Sequence, residues 1–171
     1  DRLAHLNVIY VEGVARFAAE HECMRGAVRV RRLLPLVDGG AESPQESVLR
    51  LLWVAARLGR PVTNAVVRTA RGEFVARVDL LDPATGVAAE YDGAWHSGSD
   101  RRSRDAQRQE QLLDLGIDVV RATGSDLASD ALARRWQERL RAAYRRRAGL
   151  RTRGSWVVDP AGPPARPGSA R

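Results

Sequence analysis

The sequence predicts an α/β domain with the element order α-β-β-β-α-β-α from residue 43 onward. Three observations predict it. A helix-initiating signature opens an amphipathic stretch at Ser43. Three β-branched or alternating stretches follow between Pro61 and Gly93, separated by turn signals of a few residues. Two helical stretches, 99–116 and 125–147, then enclose the short apolar segment IDVVRAT.

Residues 1–42 mix helical and strand signals, although GAVRVRRLLPLVDGG reads as a short helix stopped at Gly39–Gly40. From Ser43 the signals sharpen. SPQE places Ser43 at the N-cap, Pro44 at the first helical position and Glu46 at N3, a capping box. Leu49, Leu52, Trp53 and Ala56 line one side of the helix to about Leu58, and Gly59 is expected to end it. PVTNAVVRT (61–69) is a predicted strand, and Arg71–Gly72 turns the chain. In EFVARVDLLD (73–82) the alternation puts Phe74, Ala76, Val78 and Leu80 on one face, Arg77 and Asp79 on the other. PATG (83–86) is a turn, and VAAEYDG (87–93) is the returning strand. Ser99 or Asp100 caps the helix that Gly116 closes, 117–123 is a strand, and Leu132, Trp136, Leu140 and Tyr144 recur at spacing four in the last helix. The remainder, 149–171, is rich in Arg, Pro and Gly and is expected to be disordered. The expected division is a helical remnant of a longer region (1–42), one domain (43–148) and a tail (149–171).

Composition narrows the class. A chain of 171 residues with 44% hydrophobic and 29% charged content can bury a core. No apolar run reaches membrane-spanning length, so no membrane partner is expected. Cys23 is the only cysteine, which excludes an internal disulfide and points to a reducing, cytoplasmic setting. Because the chain begins at Asp1 rather than Met, it is expected to be a piece of a longer protein. The net charge of +7 is uneven: residues 134–171 hold 11 Arg against Glu138 and Asp159, and the rest is slightly acidic. All 28 basic residues are Arg. Such a patch suits nucleic acid or a solvated helix face.

The chemistry concentrates around EYDGAWH, Glu90 to His96. With a four-residue PATG loop, Asp82 pairs with Val87, and counting back sets Leu81 against Ala88, Leu80 against Ala89 and Asp79 against Glu90. Asp92, two residues on, shares that face. Three carboxylates on one face repel, and a cation offsets that; hard oxygen donors suit Mg²⁺ or Mn²⁺. Such an ion is suited to phosphodiester hydrolysis, and His96 is placed to act as a base. Arg101, Arg104, Asp105 and Arg108 recur at helical spacing on the next helix, and the arginines are candidates for phosphate contact. Other readings stay open. Asp79 and Glu90 can pair with Arg77 or Arg121, and Arg77 falls opposite Asp92. Asp92–Gly93 is ordinary turn chemistry. The capping box alone accounts for Glu46.

With these pieces in view, residues 43–127 resemble the PD-(D/E)XK nuclease superfamily, and within it the bacterial family of unknown function grouped with very-short-patch-repair endonucleases. The resemblance rests on ESPQESVLR, RVDLLDP, AAEYDGAWH, DRRSRDAQRQEQLLDLG and IDVVRATGSDL taken together. It implies a restriction-endonuclease-like core, α-β-β-β-α-β, with a mixed sheet flanked by helices and an extra C-terminal helix. It also implies a metal-dependent DNA endonuclease, with Asp79, Glu90 and Asp92 as metal ligands, His96 matching a downstream histidine and Glu46 an acid on the first helix. The superfamily's lysine falls at Asp92, and this chain has no lysine. The alternative is a catalytically silent nucleic-acid-binding module of a toxin–antitoxin or regulatory system; a third, protein-interaction role leaves the hairpin acids solvated.

Overall fold

The computed structural model describes residues 1–6, 8–93, 99–150 and 156–159; the side chains of Arg2 and of residues 99–104 lie outside that description. The chain forms two compact units, divided between Ser47 and Val48. The boundary therefore falls inside the first turns of a helix rather than before residue 43.

The first unit is helical: α1 (Arg2–His5), α2 (Val11–Glu20), α3 (Ala27–Leu33) and a 3₁₀ turn at Leu34–Leu36. Two long-range bonds tie its two ends together: His5 Nδ1 lies 3.0 Å from the Gly39 carbonyl, and Asp38 N–H donates to Asp1 Oδ1 at 2.8 Å. Helix α4 (Pro44–Ala55) begins at the predicted capping box. Glu46 N–H donates to Ser43 Oγ at 3.1 Å, and Glu46 Oε2 accepts the Glu42 N–H at 2.8 Å. The helix stops at Ala55, short of Gly59, because Arg57 takes the left-handed conformation at φ 57°.

The second unit carries the sheet: β1 (Val62–Thr69), β2 (Phe74–Asp82), β3 (Val87–Asp92), β4 (Asp118–Thr123) and β5 (Trp156–Asp159), in the order β4-β3-β2-β1-β5. The pairs are antiparallel except β3 with β4, which is parallel. A parallel pair needs a crossover, and α5 (Ser99–Asp114) supplies it. Gly116, at φ 73°, ends α5 as predicted, with Gly116 N–H bonded to Leu113 O and Ile117 N–H to Leu112 O. Helix α6 (Asp130–Arg147) starts five residues later than the pattern suggests, at the N-cap Ser129, whose hydroxyl accepts from Leu132 N–H. Asp126 lies outside it instead. Its carboxylate closes a turn onto Thr123 N–H at 2.8 Å and pairs with Arg139 at 2.9 Å. Burial alone would raise the Asp126 pKa, but these bonds outweigh it and hold the carboxyl below its ordinary value.

The stretch expected to be disordered contains a strand. β5 adds to the free edge of β1, and Asp159 Oδ2 accepts from Arg68 Nε at 2.7 Å. Trp156 and Val158 turn inward onto the sheet, while Val157 and Asp159 face out. That alternation is legible in WVVD, but the surrounding Arg, Gly and Pro mask it.

Each sheet face has a core. Leu49, Trp53, Leu80, Ala89, Ala122, Trp136 and Leu140 pack where α4 and α6 cover one face. Ala65, Val67, Ala76, Val78, Leu81, Ala88 and Leu112 pack under α5 on the other. The architecture is thus α/β with helices on both sides of a five-stranded mixed sheet. The predicted common face of Ala76, Val78 and Leu80 does not hold: Leu80 joins the opposite core. Among the described residues no helix is long and apolar enough to cross a membrane.

Candidate functional site

The face switch has a local cause. In β1 the ladder to β2 runs Val62↔Leu81, Thr63↔Leu80, then Ala65↔Val78, passing over Asn64 and Asp79. Asn64 is buried and sits at φ 50° inside the strand. Left-handed backbone costs an ordinary side chain about 1–2 kcal/mol, and Asn tolerates it best. Asn64 therefore lets the sheet change face beside Asp79.

On the other side of β2 the hairpin has the predicted register: Asp82↔Val87, Leu81↔Ala88 and Leu80↔Ala89. The ladder then stops. Asp79 and Glu90 do not form the next pair; the Asp79 carboxylate accepts the Tyr91 N–H at 2.7 Å. A side chain has replaced the main-chain acceptor, and the strands part there. Both flanks of β2 are irregular at the same residue, an arrangement that re-aims side chains at the rim of a sheet.

Glu90 points to α5. Arg108 Nη1 donates to its Oε2 at 3.2 Å, Nη2 donates to its Oε1 in a close contact, and Nη2 also donates to the Arg77 carbonyl at 2.6 Å. The Glu90 side chain keeps 13% of its exposure and Arg108 30%, so the pair is largely withdrawn from water but reachable from the guanidinium side. Burial alone would lower the Arg108 pKa. The Glu90 hydrogen bond and charge, helped by Asp105 and Asp79, outweigh it and raise it. The cation that answers Glu90 thus comes from α5, not from Arg77 or Arg121. A cavity of about 120 Å³ opens beside the pair, lined by Glu90, Tyr91, Asp92, Asp105, Arg108 and Arg121. Arg121 faces it because β4 runs parallel to β3 with Arg121 opposite Glu90. Asp92 is exposed at the end of β3.

The predicted residues are therefore distributed unevenly. Glu90, Asp92 and Arg108 share one cavity, and Asp79 lies near enough to act on Arg108. Arg108 spends its guanidinium on Glu90 rather than presenting it unencumbered to a phosphate. Glu46 belongs to the first unit, where its capping bonds employ it. Arg101 and Arg104 lie on α5 with side chains outside the described set, and His96 lies outside the described residues. Asp105 and Arg121 complete the lining. Asp105 was visible one helical turn before Arg108; Arg121 needed the parallel pairing to place it. Asn64 carried one signal, an Asn interrupting a β-branched run.

The donor set suits Mg²⁺ or Mn²⁺ by chemistry, being carboxylate oxygen. Its arrangement does not. Glu90 is occupied by Arg108, Asp79 by the Tyr91 N–H, and among the described residues no group of three His, Cys, Asp or Glu is gathered to hold a metal ion.

No family model matches the chain, and no solved structure matches it. It is similar to the uncharacterized proteins Rv2248 and MT2308 of Mycobacterium tuberculosis, strains H37Rv and CDC 1551, at 39% identity over 103 residues in each. The match covers 60% of this chain and 38% of each relative, so the chain spans about two fifths of the length of the curated relatives it matches.

Proposed function

We propose that the second unit is a DNA-directed endonuclease domain of the restriction-endonuclease-like, very-short-patch-repair-like kind, with the Glu90–Arg108 cavity as its working site. The observation that carries this reading is the break in the sheet at Asp79. Beside it Glu90 and Asp92 of β3 and Asp105 of α5 meet guanidiniums from α5 and β4 at one cavity, and Asp79 of β2 bonds the Tyr91 N–H at its edge. The strand order, with an antiparallel β1-β2-β3 meander and β4 added parallel to β3 after α5, supports it. Phosphate recognition falls to Arg121 and to the exposed Arg134, Arg135 and Arg145 of α6, which add sequence-independent, salt-sensitive affinity. Mg²⁺ or Mn²⁺ is the cofactor this chemistry calls for, yet the carboxylates are not arranged to hold it, and no step is assigned to it.

That misfit favours a second reading, a DNA-binding module of a regulatory or toxin–antitoxin system that keeps the fold without turnover. Its observation is the Glu90–Arg108 pair, which supplies from within the cation that the acids need. One experiment separates the two. Supercoiled plasmid and mismatched duplex are incubated with Mg²⁺ or Mn²⁺ and the wild-type or Asp79→Ala chain, beside a low-salt binding assay. Cleavage that requires both the metal and Asp79 establishes the enzyme. Salt-sensitive binding without cleavage establishes the module, and a folded chain that neither binds nor cuts overturns both.

A further inference from the structure

The Glu90–Arg108 pair carries more than a structural role. Both carboxylate oxygens of Glu90 accept from the guanidinium, one N–H to each, in the planar fork geometry that makes such pairs strong. The third contact, to the Arg77 carbonyl at 2.6 Å, ties the same nitrogen to β2 and fixes the guanidinium over the carboxylate. A divalent ion at Glu90 could reach only the lone-pair positions that these N–H groups leave, one on each oxygen. It would also meet a full positive charge at contact distance. Two cations cannot share one carboxylate at that separation without a large electrostatic cost. The neighbouring acids are organised the same way: Asp105 and Asp79 both act on Arg108.

We infer that Arg108 is the resident cation of Glu90 and that Arg108 and a divalent ion exclude each other at this carboxylate. The chain as it folds therefore does not use Glu90 to hold a metal, and uncovering Glu90 creates a divalent-cation ligand. Arg108 is a positioning residue in this scheme: it acts through Glu90. The inference does not require DNA to be the substrate.

The test is a Mn²⁺ titration of the full chain without DNA, followed by the electron paramagnetic resonance signal of the free aqua ion. The proteins are wild type, Arg108→Gln, Glu90→Gln and the double variant, each checked for folding by circular dichroism. Wild type and Glu90→Gln should bind Mn²⁺ equally weakly, within about twofold, because Glu90 is already occupied. Arg108→Gln should bind on the order of tenfold tighter, since a full charge at this distance is worth one to three decades in a binding equilibrium. The double variant should lose that gain. A folded Arg108→Gln chain that binds no tighter than wild type overturns the inference. So does tight binding by wild type that Glu90→Gln abolishes, a result that needs no Arg108 variant to fold. Because no DNA is present, failure here is separate from failure of the endonuclease reading.

Discussion

Replacing Tyr144 with Phe removes one hydroxyl from a buried polar knot in the second unit. Asp82, 6% exposed at the end of β2, accepts three bonds: from Tyr144 Oη at 2.8 Å and Thr85 Oγ1 at 3.0 Å, both onto Oδ2, and from Ala84 N–H at 2.9 Å onto Oδ1. The Phe ring keeps the edge-on contact with Trp53, whose ring centroid lies 5.9 Å away. The principal loss is the hydrogen bond to Asp82, with weaker hydroxyl contacts to Trp53 and Thr85. A bond to a charged acceptor contributes about 1.5–3 kcal/mol, and the half-buried phenol puts this one near the lower end. For a chain of this size that corresponds to a fall of roughly 3–6 °C in the thermal midpoint. The pH dependence is a second signature. Burial, with the hydrogen bond and charge of Asp82, raises the Tyr144 pKa above its ordinary value near 10. The unfolded chain then gives up its phenolic proton first, so this contribution is whole below pH 10 and is lost as pH climbs beyond it. Urea unfolding of both proteins between pH 7 and 11 reads both effects. The gap between them should be constant to pH 9 and narrow above 10. A gap below about 0.5 kcal/mol, the usual size of an inert surface change, refutes the reasoning. So does a gap that is the same at pH 11 as at pH 7.

Three further outcomes are expected. At Gly59 an added Cβ would stand 2.7 Å from Asp82 Oδ2, which its three bonds hold in place, so Gly59→Ala should cost about 1–3 kcal/mol in urea unfolding. At Asn64, φ 50° sets the order of tolerance: Gly should be the mildest replacement, Ala intermediate and Val the worst, with Val about 2 kcal/mol or more below wild type in the same assay. Replacing both Arg134 and Arg145 on α6 with Ala should leave the melting midpoint within about 2 °C of wild type, because both are exposed. It should also reduce the slope of log K against log salt for duplex DNA by roughly two, about one per lost phosphate contact; an unchanged slope removes α6 from the interface.

Much of the chain from Ser43 onward was legible because its signals are local. The capping box at Ser43–Glu46, the turns at Gly72 and Gly86 and the glycine stop at Gly116 each act within a few residues, and the structure has them where the pattern put them. The hairpin register followed from the four-residue PATG loop for the same reason, and Leu80↔Ala89 is where counting placed it. Helix boundaries slipped where other local geometry overrode the punctuation: the left-handed backbone of Arg57 ends α4 before Gly59 can, and the Asp126 carboxylate closes a turn rather than opening α6.

The sequence by itself determined the element order between residues 43 and 147, the turn positions there and which residues could carry charge to the hairpin. Those depend on backbone preference and spacing, which a short window contains. Tertiary structure alone decided what the charges do. Asn64 permits the change of face locally, but that it falls beside Asp79 and the break in the β2–β3 ladder is set by how the strands pair. The addition of β5 to β1 joins residues some 90 positions apart, with Arg68 bonded to Asp159. The capture of Glu90 by Arg108 requires α5 to lie across the sheet at the right height before the two side chains can meet. A carboxylate takes whichever cation packing brings nearest in a low-dielectric place, and that neighbour is set by the fold rather than by distance along the chain.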